Sequence, residues 1–168
     1  MSAIALILST STASSAHGEK PDDAPQWDQI AFEIKSWGAP VRQWQYTPDY
    51  GGSWVSTKRK EGTDPQVWTK SYHTIEADAD RFAELQRIVE RMPDPAPDTS
   101  NCQDVMTDQP YGTIRMKRGA TTVEVAFDAS CLDDDYVAFL DILRDADRLV
   151  TGWGKDVPAT RTEDTRTP

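Results

Sequence analysis

This chain contains few of the residue types that commonly act in catalysis. The sequence contains two histidines and two cysteines, Cys102 and Cys131, beside 28 acidic side chains. Serine and cysteine nucleophiles need a neighbouring base, usually histidine, and no G-x-S-x-G nucleophile elbow is present. His73 shares a predicted strand face with Val67 and Ile75, which favours a packed, hydrogen-bonded side chain over a catalytic base. The sequence therefore predicts no catalytic residue.

Paired carboxylates are the alternative source of chemistry. Glycoside hydrolysis requires two carboxyl groups about 5–5.5 Å or about 6.5–9.5 Å apart, and a sequence does not define such separations. The densest acidic group, Asp133-Asp134-Asp135, falls where a helix is predicted to begin and where negative charge stabilises the helix dipole. Together with Asp128 it does not match the spacing of a calcium-binding EF-hand loop. Dinucleotide and phosphate-binding loops are absent, so we expect no metal and no cofactor.

The two cysteines fit a disulfide better than a metal site. Neither lies in a C-x-x-C motif, and two histidines are too few to complete a plausible zinc site. Residues 111–128 between them alternate as a β-hairpin that turns at Arg118-Gly119. The apolar residues of that hairpin share one face: Ile114, Met116, Val123, Val125 and Phe127. Folding it back brings Cys102 near Cys131, and a bond forms if their Cα atoms lie within about 7 Å. We predict this disulfide, with two buried, inert thiols as the alternative.

Aromatic side chains provide the candidate binding surface. Along their strands they alternate with a second face made of Val41, Val55, Val67, His73 and Ile75. If the aliphatic face packs inward, the rings form a platform for a sugar, a peptide or a partner protein. If the rings pack inward, the platform does not exist, and both arrangements remain open. The candidate binding residues are Trp44, Tyr46, Trp54, Trp68 and Tyr72.

Four strands and a helix must position these residues. Alternating patterns separated by turn residues predict strands at residues 29–37, 41–46, 53–58 and 66–75. The period then changes to helical spacing, carried by Phe82, Leu85, Val89 and Met92, with Asp78 or Asp80 available as the N-cap.

A second helix follows the hairpin. Its apolar positions recur every three or four residues: Leu132, Tyr136, Phe139, Leu143, Ala146 and Val150. Ser130 is the expected N-cap and Gly152 the expected C-terminal stop. The order ββββα followed by ββα predicts an α+β fold, with an antiparallel sheet and two amphipathic helices packed on one face.

One domain accounts for most of the chain, since 168 residues suit a single domain. We assign this domain to residues 24–154 and expect residues 155–168 to be a disordered tail, because they are polar throughout. Residues 1–16 carry no charge, contain a short apolar stretch and end in small residues. They resemble an export signal, and a disordered tail is the alternative.

The charge of the chain excludes several partners. Its 18 basic residues against 28 acidic ones give a net charge of −10. Such a field repels phosphate backbones and anionic lipid headgroups. We therefore expect no nucleic-acid partner and no membrane insertion after removal of the signal. The sequence gives no indication of oligomeric state.

Several short motifs in a fixed order resemble a pattern found in small exported proteins of bacteria. They are Trp37-Gly38-Ala39-Pro40, Cys102, the run from Asp108 to Gly112, Cys131, and the run from Ala146 to Trp153. The likeness covers most of residues 28–154, implies an envelope location and assigns no activity to any residue. We therefore expect a periplasmic or secreted binding or accessory module that engages an envelope protein or glycan through the aromatic sheet face. A small envelope hydrolase using carboxylates and a purely structural envelope protein are the alternatives.

Overall fold

The computed structural model of the protein describes residues 27–62 and 67–166. The segment predicted to be a signal peptide or a tail, residues 1–16, lies outside the described residues. The strands are β1 (Gln29–Ser36), β2 (Ala39–Thr47), β3 (Gly51–Arg59), β4 (Val67–Ile75), β5 (Tyr111–Arg118), β6 (Thr121–Asp128) and β7 (Ala159–Arg166), and the helices are α1 (Ala79–Val89) and α2 (Asp134–Lys155).

All seven strands belong to one antiparallel sheet in the order β6-β5-β1-β2-β3-β4-β7. The predicted α+β class, with an antiparallel sheet and two helices, is confirmed. The predicted succession of four strands, a helix, a hairpin and a second helix is also present.

The C-terminal tail is a correction to the sequence prediction. Residues 155–168 were expected to be disordered, but Ala159–Arg166 pairs with β4 as an edge strand. Its side chains are mostly exposed and polar, so the segment lacks the apolar alternation that identifies a strand. The backbone ladder holds it in place, assisted by Asp164, which accepts a hydrogen bond from the Thr69 hydroxyl and pairs with Lys60.

One face of the sheet, here called the core face, carries the hydrophobic core. Cross-strand pairs share a face in an antiparallel sheet, so the register assigns each side chain. The buried core-face residues are Ile30, Phe32, Trp44, Tyr46, Trp54, Ile75, Ile114, Met116 and Phe127. The register of β5 with β6 also confirms the predicted hairpin face. We call the opposite side of the sheet the open face.

The sequence predicted the N-cap of α1 correctly but both ends of α2 incorrectly. Asp78 caps α1, because its carboxylate accepts hydrogen bonds from the first-turn amides. Helix α2 begins after Asp133, whose carboxylate accepts from the amides of Gln103 and Asp104 instead of capping the helix. The helix also runs through Gly152, the predicted stop, to Lys155.

The predicted disulfide is confirmed. Cys102 and Cys131 are bonded with their Cα atoms 5.8 Å apart. The bond joins the loop before β5 to the segment that leads into α2, where Val105 and Cys131 also form an isolated β-bridge.

Neither helix among the described residues is long and apolar enough to cross a membrane.

Candidate functional site

The five aromatic residues predicted to form one binding platform are divided between the two faces of the sheet. Trp44, Tyr46 and Trp54 lie on the core face and are only 3%, 0% and 4% exposed. They are therefore closed to a ligand, and the prediction that they bind one is wrong. Trp68 and Tyr72 lie on the opposite, open face, where they are partly exposed.

The buried rings join the sheet to helix α2. The indole nitrogen of Trp44 donates to the carboxylate of Asp147 over 3.1 Å, and that of Trp54 donates to the Thr151 hydroxyl over 3.2 Å. Arg42 also donates to Asp147, from its Nε over 2.9 Å. Buried indoles usually have such a partner, and here α2 supplies the acceptors for Trp44 and Trp54.

The strand register explains why the predicted platform does not form. Alternation within each strand was predicted correctly, but it does not define how neighbouring strands align. In β3 and β4, Trp54 pairs with His73, whereas Val55 pairs with Tyr72. The rings of β4 consequently face away from those of β2 and β3.

Tyr72 is engaged within the sheet. Its ring lies 4.0 Å from the Arg161 guanidinium, and its hydroxyl donates to the Glu163 carboxylate. The hydrogen bond to Glu163, with burial as a smaller cause, raises the pKa of Tyr72 above its usual value. The neutral phenol therefore holds β7 against β4, and only part of the ring is left for a ligand.

Trp68 forms part of a recess that we call the tryptophan groove. It has a volume of about 530 Å³ and crosses the sheet from the β1–β2 turn to β7. The side chains that define it are Trp37, Val41, Thr57, Trp68, Lys70 and Thr165. The guanidinium of Arg59 lies 5.6 Å from the centre of the Trp68 ring, a distance typical of a cation–π contact.

Trp37 is the residue that the sequence reasoning missed. The sequence placed it at the end of the first predicted strand and gave it no binding role, but its side chain is 80% exposed and lines the groove. Trp37 and Gly38 both have positive φ, 51° and 78°, and they connect two paired strands as a two-residue turn. Such turns favour Asn-Gly, and a left-handed conformation costs a residue with a side chain roughly 1–2 kcal/mol. The signal in the sequence was a tryptophan where asparagine is the usual residue.

Besides Arg166, Lys70 is the other charged residue that lines the groove. It is partly buried and forms no ion pair with any residue in the described ranges. Its cross-strand neighbour on β7 is Glu163, which is already hydrogen bonded to Tyr72. Lys70 therefore has donors available to a bound molecule.

The residues considered for catalysis and metal binding have structural contacts. His73 packs on Trp54, with ring centroids 4.7 Å apart, and its Nδ1 lies 2.9 Å from the Val157 carbonyl oxygen. This confirms the predicted packed, hydrogen-bonded role. Within the described ranges the one cluster with metal-ligand geometry is Cys102, Cys131 and Asp133. Its two sulfur atoms are bonded to each other, so they are not available as thiolate ligands.

No family model, no curated protein and no solved structure matches the chain.

Proposed function

We propose that the protein is an exported, non-enzymatic binding module and that the tryptophan groove is its ligand site. The observation that carries the proposal is Trp37, a large apolar ring held exposed at a backbone position that disfavours it. Strain of this kind persists where function requires it. An exposed ring beside Trp68, with the donors of Lys70 below, gives the apolar wall and the few polar groups typical of a binding recess.

We also infer that both helices cover the core face and leave the open face accessible to a ligand. Two contacts support this arrangement. The ring of Phe82 in α1 stacks on Tyr46 with centroids 6.4 Å apart, and Gly154 in α2 lies directly against the Trp54 indole. Tyr46 and Trp54 belong to the same face.

The proposed location is the periplasm or the exterior of the cell. The bonded cysteine pair is consistent with an oxidising environment. The ligand in such a compartment would be an envelope protein or an envelope glycan.

Replacement of the groove rings tests the proposal. Trp37→Asn removes the ring and leaves Asn-Gly, the preferred turn sequence, so the fold should be retained. Loss of an aromatic anchor commonly costs about 2 kcal/mol or more, which corresponds to roughly thirtyfold weaker binding. We expect that loss for Trp37→Asn and for Trp68→Ala in saturable binding to an envelope preparation, measured by co-sedimentation.

Tyr50→Ala is the matched control, because Tyr50 is an exposed aromatic residue in the turn at the other end of β2. It should leave binding unchanged. Equal binding by wild type, Trp37→Asn and Trp68→Ala would reject the groove as the site. Turnover of an envelope substrate that survives both changes would favour the carboxylate hydrolase instead.

A further inference from the structure

We propose that the ligand is a neutral, linear glycan that lies across the open face and ends in the tryptophan groove. This inference rests on the proposed function and names the ligand class for the same site. Four observations carry it: the length of the depression in the open face, the neutral groups that line it, the direction in which it crosses the strands, and the charge around it.

The tryptophan groove is one end of a longer trough. A second recess of about 410 Å³ lies on the open face between β5 and β3, and a third of about 10 Å³ lies between that recess and the groove. Gln43 and Val55 are shared by the second and third recesses, and Thr57 and Lys70 by the third and the groove. From β5 to β7 there are five strand-to-strand steps, or about 24 Å at the usual strand spacing. The trough is therefore long enough for several linked sugar rings.

Neutral amides and hydroxyls dominate the polar lining. They are Gln43, Gln45, Ser53, Thr57, Thr113 and Thr165. Each such group both donates and accepts hydrogen bonds, as the hydroxyl and acetamido groups of a sugar do. At the groove end, the flat apolar faces of Trp37 and Trp68 suit the C–H face of a pyranose ring. The combination matches a glycan better than a charged or a wholly apolar ligand.

The direction of the trough disfavours an extended peptide. Peptides that join a sheet pair with an unpaired strand edge. The trough instead crosses β1, β2, β3 and β4, each of which is paired on both sides within the sheet. Their backbone groups are therefore already bonded, and recognition has to come from side chains.

Charge at the trough favours a neutral molecule. Glu33 pairs with Lys35 over 2.8 Å, and Arg115 pairs with Glu124. At the groove end, Lys70 and Arg166 are the charged residues of the lining, and Lys70 forms no ion pair within the described ranges. The net charge of −10 repels a polyanion, whereas a neutral chain of hydroxyl groups meets no such barrier.

Calorimetric titration of the full chain tests the ligand class. The probes are hexamers and dimers of β-1,4-linked N-acetylglucosamine and of β-1,4-linked glucose, with hexagalacturonate as the charged comparison. We expect saturable binding of at least one neutral hexamer, at least tenfold tighter than its dimer, because only the hexamer reaches from the groove into the second recess. Trp37→Asn should weaken binding of that hexamer by roughly thirtyfold, as expected for loss of an aromatic anchor.

Gln43→Ala tests the extension beyond the groove. It should weaken hexamer binding about fivefold and leave dimer binding unchanged. Gln109→Ala removes a partly exposed amide outside the trough and should change neither. Equal affinity for dimer and hexamer, or tighter binding of hexagalacturonate than of either neutral hexamer, would overturn the proposal.

The experiments distinguish an error in the ligand class from an error in the binding site. If both neutral hexamers fail to bind at millimolar concentration while Trp37 remains necessary for envelope binding, the ligand is not a neutral glycan and the groove is still the site. If envelope binding is also insensitive to Trp37→Asn, the proposed function itself is wrong.

Discussion

Two glycines in one helix show how single residues determine the fit of α2 against the sheet. An added Cβ at Gly154 would lie 2.5 Å from the ring of Trp54, whereas a Cβ at Gly152 would meet nothing within 4 Å. Both glycines are in the same helix. The close approach of backbone to indole at Gly154 is therefore specific to that position.

We predict opposite effects for the two alanine substitutions. Gly154→Ala should lower the free energy of unfolding by about 1–3 kcal/mol, because the tightly packed interface has to shift. Gly152→Ala should raise it by up to about 1 kcal/mol, because alanine favours helix over glycine. Denaturant unfolding followed by circular dichroism measures both. A destabilisation of equal size at the two sites would contradict the role assigned to Trp54.

At the scale of residues, the sequence correctly predicted those features that depend on a single strand or helix. The face of Ile114 and Met116 follows from alternation alone, and Asp78 was correctly proposed as a cap. It failed for the candidate site because Trp54 and Trp68 lie on different strands. Whether they share a face depends on the pairing of β3 with β4, which single-strand patterns do not contain.

At the scale of elements, β7 is the strand that alternation of polar and apolar residues does not predict. Strands that bury one face alternate in polarity, and six of the seven were predicted in this way. An edge strand with polar residues on both sides has no such pattern, although backbone pairing with β4 holds it in place. Its charged residues also discourage pairing with other chains.

Removal of β7 tests whether the strand forms. A chain ending at Pro158 loses the β4–β7 ladder and the contacts of Glu163 with Tyr72 and of Asp164 with Thr69. At roughly 0.5–1.5 kcal/mol for each net hydrogen bond, we expect stability to fall by about 2–4 kcal/mol. Amide exchange should accelerate in β4 and remain slow in β1. Identical stability and exchange in the two chains would favour the disordered tail instead.

At the scale of the whole molecule, one disulfide links parts of the fold that are distant in sequence. Cys102 and Cys131 are 29 residues apart and enclose the whole β5–β6 hairpin. The loop before β5 has little regular structure beyond a short 3-10 helix at Thr99–Asn101. Its attachment to the start of α2 therefore depends on the bond and on a few hydrogen bonds, such as that from the Leu132 amide to the Asp104 carbonyl over 2.8 Å.

The final prediction concerns this bond. Closing a loop of this length stabilises a fold by about 3–4 kcal/mol in the chain-entropy model, which corresponds to a loss of roughly 6–16 °C in Tm for a chain of this size. We expect that loss for the double variant Cys102→Ser/Cys131→Ser and for the wild type in reductant, measured by calorimetry. No residue of the enclosed loop lines the tryptophan groove, whereas Thr113 and Arg115 of the second recess belong to that loop. Binding of the dimer, which occupies the groove alone, should therefore be unchanged below Tm. A reduced protein as stable as the oxidised one would show that the loop is held without the bond.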